Sequence, residues 1–331
     1  MLPDVPVRRR SRKQATAGSI SLRTDACLST ENDMGFFLAL LSSAAFGLIP
    51  LFSLPLMHDG MSAECVLFYR FLFGALSLAV IVVVRHERLG ASFKELFKLA
   101  VFSMMYALAA LLMFQGFNYL PSGVASTLQF LYPLMVMLIM IAFFHEKPSI
   151  ITACSVALAI TGVFLLSGGE GEGNVSMKGI VLLLVSALCN AVYICGLHVA
   201  RIRSISGLSI TFWVLFFGML ASFANALFSG SFQGLHSWTE AGTAVLLAVI
   251  TAALSNLALV LAIQRIGSTM TSILGVMEPL TAVTVGILIF DEPATVGVFA
   301  GVAVICAAVI LVMAGPQITE HLHRHRAASS K

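Results

Sequence analysis

Residues 122–146, SGVASTLQFLYPLMVMLIMIAFFHE, and residues 268–292, STMTSILGVMEPLTAVTVGILIFDE, are two versions of one segment. At a constant offset of 146 residues (268 − 122) Ser122 meets Ser268, Ser126 meets Ser272, Leu128 meets Leu274, Pro133 meets Pro279, Phe144 meets Phe290 and Glu146 meets Glu292. Matched leucines mean little in an apolar chain, whereas matched Pro, Ser and Glu mean more. The ungapped correspondence extends to 165 and 311. Upstream, an offset of 144 (179 − 35) pairs Gly35 with Gly179, Ser42 with Ser186, Phe68 with Phe212, Phe73 with Phe217 and Gly74 with Gly218. Two residues of insertion separate the registers (146 − 144). Self-similarity over such a long period marks a duplicated unit.

The medium of the fold follows from composition. Of 331 residues, 59% are apolar and 11% charged, against roughly 25% charged in a soluble domain. Apolar stretches of about 20 residues, the length that crosses a bilayer, recur from Met34 to Ala314. With Gly, Pro and charges as punctuation, spans are predicted at 34–56, 63–84, 96–118, 122–144 and 149–167, then at 179–199, 207–228, 241–263, 267–290 and 295–314. The expected fold is therefore an all-α integral membrane protein of about ten transmembrane helices in two five-helix repeats, 34–168 and 179–314. Tails at 1–33 and 315–331 and a Gly-rich acidic linker at 169–178, continuing the GGEGEGN run that starts at Gly168, complete the chain. Five is odd, so the second repeat enters the membrane upside down. Such an inverted repeat sets a pseudo-two-fold axis in the membrane plane and a site near the midplane.

Charge tests the span count. With the amino terminus in the cytoplasm, seventeen of the nineteen Lys and Arg residues fall on inside segments; Lys178 is outside and Arg70 lies within a span. One span more or fewer would reverse the later loops and destroy this bias, so both termini are expected in the cytoplasm. The basic excess thus reports topology and no nucleic-acid partner. Residues 1–33 are polar and basic with no apolar core, unlike a secretory signal; a cytoplasmic tail is expected, with Met34 as an alternative start. The six cysteines form no C-x-x-C pair, and most read as small packing residues, with no metal site.

The repeated pattern of Pro, a long apolar run and Glu (Pro133 to Glu146, and Glu278-Pro279 to Glu292), together with Arg70 in the second span, resembles the EamA type of the drug/metabolite transporter superfamily. The resemblance covers roughly 34–314 and implies a ten-helix secondary carrier working by alternating access, often an exporter of amino acids or related polar metabolites. The halves depart from each other where function is expected: Tyr132 stands opposite Glu278, and Arg70 opposite Val214.

Glu278 falls near the centre of the ninth span, where an ionised acid costs about 2.5 to 3.5 kcal/mol on insertion scales. It is read as an amine contact or a proton-coupling carboxylate, against a neutral acid or structural ion pair. Arg70 either binds a carboxylate or pairs structurally, with Glu278 in reach of its depth. Gln129 with Tyr132, Asn190 with Tyr193, and Ser186 with Asn190 are three or four residues apart and so share helix faces. With Tyr106, Gln115 and Asn256 they supply hydrogen bonds and aromatic walls for a polar solute, or glue between helices. Pro133 and Pro279 each remove a helical donor and are expected to bend the fourth and ninth helices. Glu146 and Glu292 end those helices before Pro148 and Pro293, which reads first as capping of the next helix and second as a gate.

No catalytic constellation and no H-E-x-x-H accompany the two deep charges, so an enzyme is not expected. No G-x-x-x-x-G-K-[ST] loop is present, which argues against direct ATP drive, and no cofactor is expected. The partners expected are a small-molecule substrate and the lipid bilayer, with proton coupling and a homodimer both admitted. The competing reading is a channel-like pore or a non-transporting scaffold or receptor.

Overall fold

The computed structural model describes residues 33–87, 89–145, 150–167, 176–200 and 206–329, with the backbone alone at 198–200, 268–269, 272 and 315–329. Among them there is no strand. Among the described residues eight helices are long and apolar enough to cross a membrane, and two shorter apolar ones, Ile150–Leu166 and Met277–Ile289, bring the number to the expected ten. In chain order they are α1 (Asp33–His58), α2 (Ala63–Val84), α3 (Phe93–Gly116), α4 (Ser122–Phe144), α5 (Ile150–Ser167), α6 (Met177–Ala200), α7 (Gly207–Phe228), α8 (Trp238–Gly267), α9 (Met277–Ile289, preceded by a helical turn at 268–274) and α10 (Val296–Ser329).

Helices suit this medium because lipid offers no partner to backbone N–H and C=O groups. Helix starts therefore carry local caps: the side chains of Ser62, Ser92, Ser206 and Ser237 accept from the backbone N–H groups of Cys65, Glu95, Ser209 and Glu240. Large apolar side chains such as Phe143, Leu288 and Phe228 are left on the outer surface, the side that hydrocarbon covers. Phe71, Phe114 and Phe130 fill the interior.

The tenth apolar span ends at Ala314, where it was expected, and the helix that carries it continues to Ser329. One expectation changes. The prolines break helices rather than bend them. α4 is two segments, Ser122–Gln129 and Tyr132–Phe144, and Pro133 sits in the first turn of the second. Pro279 does the same at the start of Met277–Ile289. A proline in a first turn needs no donor, because that N–H has no helical acceptor anyway. α1 is also interrupted, at Leu48 before Pro50.

The duplicated halves pack about the expected axis. α2 lies on α7, the first segment of α4 on α9, and α5 on α10, while α3–α6 and α4–α6 are answered by contacts of α1 with α8 and α9. At the central α2–α7 pair the symmetry reaches individual atoms. The Tyr69 hydroxyl donates to the carbonyl of Gln233 (2.9 Å), and the Trp213 indole N–H donates to the carbonyl of Leu89 (3.1 Å). Both donor and acceptor are displaced by 144 residues (213 − 69, 233 − 89). Likewise Ser62 donates to the Ser231 carbonyl and Ser206 to the Glu87 carboxylate. Each helix start is thus fastened to the turn that follows the other helix, so α2 and α7 are antiparallel. A further pair ties α1 to α8 and α6 to α3: Ser42 donates to the Ser255 carbonyl (2.8 Å) and Ser186 to that of Ala109 (2.5 Å).

The two inserted residues also have structural addresses. The capping serines Ser92 and Ser237 are already 145 apart (237 − 92), so the first extra residue lies in the turn after α7. Ala109 and Ser255 are 146 apart (255 − 109), and between Ser237 and Ser255 the eighth helix widens into a π-helix at Val249–Leu254. A π-turn is what one inserted residue makes of an α-helix.

α5 and α10 approach closely through glycine. A Cβ on Gly301 would meet Leu166 Cγ at 2.6 Å and the Gly162 carbonyl oxygen at 3.0 Å. In lipid, such small-residue contacts supply dispersion where no hydrophobic drive exists. Gly301→Val is expected to lose about 1–3 kcal/mol, read as a lowered thermal midpoint of the purified protein in detergent.

Candidate functional site

The seven polar residues named from sequence, Arg70, Gln129, Tyr132, Asn190, Tyr193, Asn256 and Glu278, all line one cavity of about 420 Å³. That volume is of the size that holds a small organic molecule. Both broken helices break on its wall: Gln129 and Tyr132 flank the interruption of α4, and Gly275 and Glu278 that of α9. Glu278 therefore stands in the first turn of a helix whose amino end faces the cavity, where the positive end of the helix dipole favours an anion. Discontinuous helices with exposed half-helix ends are a recurrent way of building solute sites at membrane depth.

Arg70 is 3% exposed, its guanidinium carbon 5.8 Å from the centre of the Phe114 ring. Its Nε has no hydrogen-bond partner among the described residues, and neither has Gln129 Oε1. Arg70 and Glu278 share the cavity without closing into a direct ion pair. A buried guanidinium donor left over after all protein contacts is costly unless something else accepts from it. Tyr106 and Tyr193 form one wall, ring centres 5.1 Å apart. Asn256 spends its amide on the Ala252 carbonyl (2.6 Å) within the widened part of α8, leaving its oxygen. The site thus offers a cation, an anion, amide and hydroxyl groups and aromatic faces within one solute-sized space.

Sequence reasoning passed over Ser43, Phe46, Thr211 and Thr271 as lining residues, and Ser42, though seen as a repeat match, was not seen as a wall. Gln115 is not in the lining. The missed positions are small or apolar, and the register signalled one of them: Phe46 matches Asn190 (190 − 46 = 144).

The cavity is one-sided. Its lining includes Ile194, Leu197 and Ile210, near the carboxyl end of α6 and the amino end of α7. Their repeat mates, Pro50, Ser53 and Val66, are buried at the other end of the bundle and do not line it. The cavity thus extends toward the side on which α1 begins and is closed toward the side on which α4 begins.

At the closed end Glu292 corrects its expected role. The start of α10 is capped by Thr295, whose hydroxyl accepts from Val298 N–H (3.2 Å). The Glu292 carboxylate instead accepts from the backbone N–H groups of Ser122 (2.5 Å) and Gly123 (3.2 Å), at the amino end of α4 in the other half. Three unsatisfied N–H groups follow from helix geometry at such an end, and a carboxylate suits them in number and charge. Glu146, its repeat mate, lies outside the described residues.

The model of the EamA-like transporter family matches residues 33–168 and again 177–314, the two halves found by internal comparison. Among solved structures, one crystal structure resembles the chain with a TM-score of 0.56 at 16% identity, covering 88% of this chain and 97% of that one. That likeness concerns the fold. No curated protein matches the sequence significantly.

Proposed function

Because the chain belongs to the EamA-like transporter family, and so is a multi-pass membrane transporter of the drug/metabolite superfamily, we propose that it carries a small zwitterionic metabolite of the amino-acid type by alternating access. In this reading Arg70 takes the solute carboxylate, Glu278 takes its amine or a coupling proton, and Tyr106 and Tyr193 enclose its side chain. The single observation behind it is one solute-sized cavity lined by a buried arginine with an unpartnered Nε and by a half-buried acid, without a bridge between them. A guanidinium offers a planar fork matched to a carboxylate. The positive-inside pattern puts both termini in the cytoplasm, so that the cavity faces the cytoplasm, the loading side of an exporter.

A channel-like pore is the competing reading, and the closed end with its cross-repeat hydrogen bonds favours a carrier. Purified protein in proteoliposomes, loaded with a panel of labelled L-amino acids and related zwitterions, is expected to give flux that saturates with concentration. Flux rising linearly across the range supports a pore instead, and no flux for any member of the panel removes the proposed substrate class.

A further inference from the structure

Contacts obeying the pseudo-two-fold relation do not distinguish the states of an inverted repeat, because exchanging the conformations of the halves maps each contact onto its mate. The Tyr69–Gln233 and Trp213–Leu89 hydrogen bonds are of this kind. So are the bonds of Ser42 and Ser186. A state-dependent fastening must break the symmetry, and it must lie at the closed end.

Glu292 meets both conditions. Its carboxylate bridges the end of α9 to the start of α4, across the repeats and at the end away from the cavity. The backbone presenting it is shared by both halves: Asp291, just before it, has φ 50°, and the repeat mate His145 has φ 54°. The seat beneath it is not shared. The carboxylate lies against Gly286, where an added Cβ would collide with its Oε2. At the mate of Gly286 stands Met140 (286 − 146), so the first half has no glycine at this position.

We infer that Glu292 is the latch of the closed end: it holds the amino end of α4 against α9, and it releases those two N–H groups when the cavity opens on that side. The inference rests on the carrier reading above, and it makes Glu292 a positioning residue that touches no solute. The separation of the first α4 segment from the rest of α4 at Phe130–Leu131 lets that segment move without the whole helix. The α2–α7 bonds remain as a fixed axle.

Hydrogen–deuterium exchange of the full chain in lipid nanodiscs tests this without a ligand. Peptides covering 117–131 and 276–290 are compared among the wild type, Glu292→Gln, Gly286→Ala and, as a control, Glu240→Gln. Glu240 stands in the first turn of α8 at the same end of the bundle, and its carboxylate accepts from the backbone N–H of its near neighbour His236. The expected result is exchange about tenfold faster at the start of α4 in both Glu292→Gln and Gly286→Ala. Peptides over 62–69 and 206–213 should be unchanged, and so should all peptides of interest in the control. Gly286→Ala keeps the acid and removes its seat, so agreement of the two variants points to the contact itself. Unchanged exchange at 117–131 overturns the latch, and so does faster exchange spread equally over 62–69 and 206–213, which would mean general loosening. Wild-type protein with saturable flux and unchanged variant exchange loses the latch and keeps the carrier. Flux that rises linearly with concentration in the wild type removes the carrier and the gate together.

Discussion

Glu278→Gln is expected to lower saturable transport by about a hundredfold while leaving the protein folded and the cavity its shape. Gln has nearly the volume of Glu and keeps one acceptor oxygen, so packing around Gly47, which lies against the Glu278 backbone, is undisturbed. What disappears is a negative charge in a space where little water screens it. A hydrogen bond to a charged group contributes about 1.5–3 kcal/mol, and each 1.4 kcal/mol is tenfold in an equilibrium. One lost contact to a solute ammonium therefore accounts for most of the effect. The measurement is initial rate against concentration and against external pH in proteoliposomes. If Glu278 meets the amine, KM rises and the pH profile keeps its form. If it carries the coupling proton, net transport driven by a pH gradient vanishes while exchange of solute for solute survives. A variant with wild-type KM, rate and pH profile would falsify any role for the acid in transport.

Arg70 is expected to show the second large effect, and its signature is chemical. Arg70→Leu should reduce transport of carboxylate-bearing solutes by about a hundredfold or more, since it removes the one buried cation of the cavity wall among the described residues. Arg70→Lys keeps the charge but not the planar fork and should raise KM by roughly tenfold. The amine that a substrate becomes on losing its carboxylate has nothing for Arg70 to hold. It should compete in the Leu variant as well as, or better than, in the wild type. If both variants lose competition by the amine and the carboxylate equally, Arg70 is a structural residue over Phe114 and the zwitterion reading fails.

Much of the architecture was legible in sequence because the bilayer acts as a ruler. Span length, the sidedness of Lys and Arg and the paired Pro and Glu positions are one-dimensional signals, and the helices formed where those signals lay. The cavity residues were legible for the same reason: in a membrane an unpaired Arg, Glu or Asn is expensive, so its presence marks a place where water, solute or another polar group awaits it. Other features were hidden because their signal is relational. Glu292 looks like a cap for its own next helix until the fold brings Ser122 to it from 170 residues away. Ser42 and Ser186 resemble any small residue in a greasy helix, and their acceptors, carbonyls on other helices, leave no trace in side-chain pattern. The break at Leu48 was foreshadowed by Pro50, but a hydropathy window averages across it.

The widened turn of α8 at Val249–Leu254 has a consequence for energy balance. Two identical copies related by an axis in the membrane plane would give an unloaded carrier two rotation-related conformations of equal free energy, populated half and half. One residue inserted in a single copy removes that equivalence, since the π-turn has no counterpart in α3. A difference of only about 1.4 kcal/mol holds ten molecules on one side for each on the other. On this view the extra residue in the eighth helix is a counterweight, setting where the empty protein comes to rest before any solute arrives.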